Sequence, residues 1–234
     1  MPKPTAFNCA STRWAVGSSC ATKWLMPRLN GFYARHPGVL VHVHSRVRRF
    51  DLTQAGIDAV IGVGYDDWPG MVTHPLMDET VVPVISPLLL QQHPISEAAG
   101  VSRHLLMHVA QRPGIWRQWF TQHGVPVQTM RSGPQFELTS HLIQAVASGM
   151  GVGLLPHFLV ADELQSGVLA LAIDLPMDTG ARYSLYTPPE KLAFPPIAAF
   201  RDWLVGEVGT PPQPFSPAPP QSVSPHRARP PGPV

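Results

Sequence analysis

The chain has 234 residues and a formal net charge of +2, with 14% of its residues charged. That length allows one substantial core or two small lobes, and so thin a charge does not by itself suggest wrapping of nucleic acid, which needs a clustered basic face. Cys9 and Cys20 stand in no CxxC spacing and make no disulfide framework, no apolar signal segment opens the chain, and no run approaches the ~18 apolar residues of a membrane span, so a cytoplasmic protein with no membrane contact is expected.

Residues 1–12, with Pro2 and Pro4, show neither helical nor strand periodicity, so they read as a loose leader with regular structure beginning near Arg13. "WAVGS" reads as a strand, and Leu25, Leu29, Phe32 and Tyr33 follow with the stripe of a half-buried helix whose first turn is expected to hold Pro27. "VLVHVHS" is a second strand, "FDLTQAG" a short helix stopped by Gly56, and "DAVIGVG" a third strand, completing a β-α-β-α-β lobe. "TVVPVIS" is strand-like, but Pro83 removes a ladder donor and assigns it to an edge, a bend or a crossing point, read as a hinge strand. Beyond it come a helix in "IWRQWFTQHG" closed by Gly124, a helix in "LTSHLIQAVASGMG" closed by Gly149, and a strand in "VGLLP". A helix in "HFLVADELQSG", strands in "VLALAI" and "YSLYT", and a Pro-led closing helix in "PPIAAFRDWLVGE" follow. The tail from Gly209 is too rich in proline to build a core and is expected to be disordered.

Alternating strands and helices predict a parallel α/β sheet covered on both faces, arranged as two lobes with a cleft at the strand C-termini and helix N-termini. Ser18, Ser19 and Thr22 stand where the first strand turns into its helix. Two readings stay open: they cradle a carboxylate together with the helix dipole and free N–H groups, or they simply cap the helix.

Five segments, "KWLMPRLNGFYARHPGV", "GIDAVIGVGYDDWPGM", "MDETVVPVISPLLL", "LIQAVASGMGVGLLPHFLVADELQSGVL" and "YSLYTPPEKLAFPPIAAFRDWL", resemble in order and spacing the effector-binding domain of LysR-type transcriptional regulators, the glycine-cleavage-activator-like subgroup in particular. The resemblance covers roughly Arg13 to Glu207. It implies a type 2 periplasmic-binding-protein-like fold: two α/β subdomains joined by two crossover strands, with residues 13–84 plus 181–207 in the first, 85–180 in the second and 208–234 as tail. It also implies effector sensing and dimerisation rather than catalysis, with no cofactor and no metal. The ligand would be a small, carboxylate-bearing organic effector. Ser19 matches the family's small hydroxyl residue at the first strand-to-helix turn, with Ser18 beside it. Ser45 and Arg46 match the turn after the second strand, Gly64 the glycine after the third, and Thr139 the polar residue opening a second-lobe helix, with Glu137 nearby. The family's winged helix-turn-helix and linker helix have no counterpart before Arg13, so no specific DNA binding by this chain is expected. Its partners would be a second copy, or a full-length regulator in a mixed dimer, met through the helix from about Trp24 to Arg35. An autonomous solute-binding protein of the same fold is the alternative.

Other chemistries are weakly signalled. Ser19 and Cys20 lack the G-x-S-x-G elbow of a nucleophile. His42 and His44 share a strand face but have no local Cys or carboxylate partner for a metal. "GMGVG" follows a helix rather than a strand, which suits a helix stop and not a dinucleotide site. Trp116, Trp119 and Phe120 carry the spacing of a core stripe.

Overall fold

In the computed structural model, which describes residues 10–45, 50–64 and 68–208, β1 (Ala10–Val16) already begins at Ala10. Three residues ahead of Arg13 are drawn into the sheet because β1 pairs in parallel with β2 (Val39–Ser45) along its whole length. Thr12 is buried there, its hydroxyl accepting from Trp14 Nε1 at 2.8 Å. The leader up to Cys9, Arg46 and the tail from Gly209 lie outside the described residues.

The chain is helical from 18 to 35, in three pieces: α1 (Ser18–Cys20), a π turn (Ala21–Leu25) and α2 (Met26–Arg35). Pro27 stands in the first turn of α2, as expected, although the chain is already helical ahead of it. A proline there has no N–H for the residue four back, and its ring crowds that residue's carbonyl. The wider π turn directly before it is one of the usual ways a helix absorbs such a break. Leu25, Leu29 and Phe32 face inward as their spacing requires. A short α3 (Leu52–Ala55) ends at Gly56, whose φ of +62° suits glycine. After it, β3 (Ala59–Val63) pairs in parallel with β1.

Next, β4 (Val72–Ile85) runs for 14 residues, far longer than "TVVPVIS" suggests. Then come α4 (Pro87–Gln92), a 3-10 turn (Ala98–Arg103), β5 (Leu106–Val109), α5 (Ile115–Gln122), β6 (Ser132–Phe136), α6 (Thr139–Ala147), β7 (Val152–Pro156), α7 (His157–Gln165) and the two-residue β8 (Ala170–Leu171). The long β9 (Met177–Thr187) and α8 (Pro195–Glu207) close the fold.

The sheet order is β2-β1-β3-β9-β4-β7-β5-β6, with β8 also on β4. One end of β9 pairs antiparallel with β3, while the far half of β4 pairs with β7, so these two strands cross between lobes and hold them together. Pro83 lies inside the sheet at such a crossing, opposite Leu154, and not at an edge.

Each lobe has its own core. Trp14, Phe32, Phe200 and Trp203 pack together in the first, with the Trp14 and Phe200 rings 4.3 Å apart. In the second, Trp116, Trp119 and Phe120 fill one face of the sheet, and Leu142, Val146, Leu155 and Val160 the other. The aromatic stripe of α5 is thus core. Among the described residues no helix is long and apolar enough to cross a membrane.

Candidate functional site

Where β1 ends, Gly17 turns the chain so that α1 starts beside the C-terminal ends of β1 and β3. Across from it, "ELTS" brings α6 in from the second lobe, nose to nose with α1. Between them lies a cavity of about 300 Å³ whose wall includes Gly17, Ser19, Glu137 and Thr139. This places Ser19 and Thr139 on one wall, as the family resemblance implies. Helix N-termini facing a common space concentrate unpaired N–H groups and positive dipole ends there.

Ser19 is buried, and its Oγ accepts the backbone N–H of Ser140 at 3.1 Å. It therefore does act as a cap, but of the opposite helix, since the residue preceding α6 is Leu138, which has no side chain able to do so. A hydroxyl that accepts one bond still has its proton to give. The Thr139 hydroxyl, half-buried at the first residue of α6, makes no hydrogen bond among the described residues.

The other expected site residues are more scattered. Ser45 ends β2 beside Val16, exposed, and is not part of the cavity wall. Gly64, with φ of +70°, lies just past the wall residues Gly62 and Val63, its N–H bonded to the Arg182 carbonyl at 3.2 Å. Ser18 opens α1.

Sequence reasoning missed the polar floor of the cavity. Glu79 comes from β4, Tyr183 from β9 and Arg112 from the turn after β5. Glu79 is fully buried; its Oε2 accepts from Arg112 Nη1 and, at 2.9 Å, from Thr179 Oγ1. Burial pushes the Tyr183 phenol well above its ordinary value, with the nearby Glu79 carboxylate adding to the shift. One signal was in the sequence: a glutamate at the head of the apolar run "TVVPVIS" has to face either solvent or a site.

Cys20 lines the same wall, and burial pushes its thiol up to about 12 against the opposing pull of Arg28. A thiol so protonated is no nucleophile at neutral pH. His42 is exposed on β2, and no group of three His, Cys, Asp or Glu side chains able to hold a metal occurs among the described residues.

A two-lobed α/β receptor with crossover strands and a polar cleft defines a small-molecule-binding class of protein. The sequence profile of the LysR substrate binding domain matches residues 11–209, and the chain belongs to that family. It is 31% identical over 192 residues to the HTH-type transcriptional regulator TrpI of Pseudomonas aeruginosa, and 30% identical over 190 residues to the glycine cleavage system transcriptional activator of Escherichia coli. Each alignment covers 81% of this chain, which spans only 64% and 62% of the two relatives' lengths. Among solved structures, the effector domain of AmpR from Pseudomonas aeruginosa superposes with a TM-score of 0.76 at 24% identity, covering 85% of this chain and 95% of that one. The AmpR effector binding domain from Citrobacter freundii gives 0.77 at 22%, covering 85% and 98%. These likenesses establish the type 2 periplasmic-binding-protein-like fold.

Proposed function

We propose that the chain is the effector-sensing and dimerisation module of a LysR-type transcriptional regulator, a cytoplasmic, non-enzymatic protein whose lobes close on a small organic carboxylate. The observation that carries this reading is the meeting of Ser19 and Thr139, from opposite lobes, on the wall of one cavity. A carboxylate between the two helix N-termini gains about 0.3–1 kcal/mol from each dipole, and about 1.5–3 kcal/mol from each hydrogen bond a hydroxyl gives it. Ser18, Ser45, Arg46 and Gly64 are assigned to the first-lobe side of the same ligand. The first lobe takes residues 13–84 and 181–207, the second 85–180, and the module works as a homodimer or as a mixed dimer with a full-length relative.

Calorimetry on Ser19→Ala and Thr139→Ala tests the site, using carboxylates that stabilise the parent in a thermal-shift screen. Each variant is expected to bind about 10- to 100-fold more weakly. Only Ser19→Ala removes a capping bond, so it alone should also lose about 1 kcal/mol of stability. Parental affinity in both variants would show that the hydroxyls serve the fold and not the ligand.

A further inference from the structure

The floor of the cleft bears on the end of the ligand that the helix N-termini do not hold. Glu79 occupies a bulge in the crossover strands: the register between β4 and β9 slips between Asp78 and Thr80, and Gly180, with φ of +70°, lets β9 bow out opposite. Bulges of this kind re-aim a side chain. Here the carboxylate is turned into the cavity wall and is fully enclosed. Its Oε2 is satisfied by Arg112 and Thr179, but Oε1 is buried with no hydrogen-bond partner.

A buried, unpaired carboxylate oxygen is costly, and native folds seldom leave one without a donor to complete it. Among the described residues the rest of the wall offers no cation. Among the described residues Arg112 is its one positive charge and already serves Oε2, while Glu137 at the mouth adds a second negative charge. Two carboxylates against one guanidinium would repel a plain anion from this end. A donor-rich, positively charged group would be drawn to it.

Building on the carboxylate reading above, we infer that the ligand is an amino carboxylate, its carboxylate at the N-termini of α1 and α6 and its protonated amine donating to Glu79 Oε1. The amine sets specificity: an ammonium completes the Glu79 shell, whereas a desamino or N-acylated analogue leaves Oε1 bare or clashes with it. The Tyr183 phenol, held protonated by burial and by the adjacent Glu79, approaches the same carboxylate, so the amine shares it with that hydroxyl and is not its sole neighbour. A cavity of about 300 Å³, at the low end of the ~300–1,000 Å³ span of small-molecule sites, suits a molecule of amino-acid size.

The test pairs ligands and variants on the full chain. The standard amino acids, their N-acetyl forms and their desamino carboxylic acids are screened by thermal shift at millimolar concentration, and any hits are measured by calorimetry. One or more free amino acids should bind, with the N-acetyl and desamino partners weaker by about 10- to 100-fold, and Glu79→Gln should erase that preference. Because the ligand comparison is made on the parent protein, it stands even if Glu79→Gln folds poorly. Desamino acids binding as well as amino acids would overturn the amine assignment and leave the carboxylate reading intact. Amino acids that bind the Ser19→Ala and Thr139→Ala variants as they bind the parent would overturn the carboxylate reading instead. No binding by any of the three sets would overturn both.

Discussion

Two histidines are held short of their ordinary basicity. For His104 the cause is burial first, then the positive charges of His93, Arg103 and Arg131; for His74 it is burial, then Arg201, with Asp202 opposing. Both pKa values are lowered from 6.5. In each case the unfolded chain binds a proton more readily than the folded one, so stability is fully present above the unfolded value and declines as pH falls through it. The melting temperature should therefore drop between about pH 7.5 and pH 5.5, and His104→Gln should flatten the slope. An unchanged slope in that variant would remove His104 from the account. At this level the sequence showed the site unevenly. Ser19 and Thr139 are legible as wall residues through the family resemblance, which places them at a strand-to-helix and a loop-to-helix turn. Glu79 carries one signal, its place at the head of an apolar run, but its meeting with Arg112 depends on a bulge in one strand and a turn 33 residues later, which no local spacing encodes.

The elements most plainly written in the sequence are those with a stop signal. α6 and α7 end before Gly149 and Gly167, which have φ of +80° and +75°, and α8 starts at the proline pair that announces it. Nothing in the sequence announces the strands β5 and β6, since "LMHV" and "SGPQF" are short, carry no clean alternation and, in β6, include a proline on a sheet edge. The glycine run "GMGVG" shows why a pattern is not a site. A Cβ on Gly151 would lie 2.3 Å from the Leu105 carbonyl oxygen, and one on Gly153 2.8 Å from a Val146 methyl, so both are there for close packing of β7. Gly151→Ala should destabilise by about 1–3 kcal/mol, or more if the Leu105 backbone cannot shift. Gly206, in α8 with open space around it, should behave oppositely, Gly206→Ala stabilising by about 0.4–1 kcal/mol. Urea denaturation of the two variants checks both signs.

As a whole, the molecule is two lobes on two shared strands, and this much followed from the alternation of strands and helices; the mixed rather than parallel sheet did not, because β4 and β9 each serve both lobes. Separation and closure of the lobes is the motion expected of such a fold. Besides the strands, the lobes are tied by the ion pair of Lys23 in the π turn with Glu163 on α7, by the Ser19 to Ser140 hydrogen bond, and by the Phe158 and Tyr183 rings, 4.9 Å apart. Since the Ser140 N–H is donated across the cleft, its hydrogen exchange reports closure directly. Glu163→Gln keeps the side-chain shape but removes the charge, weakening the tie by about 1 kcal/mol for a partly exposed pair. Exchange at Ser140 should then speed up by about 5-fold, while amides of the core strand β7, such as Leu155, stay at the parent rate. Equal acceleration at both places would mean the pair supports global stability instead, and no change at Ser140 would mean that the lobes do not separate along this line.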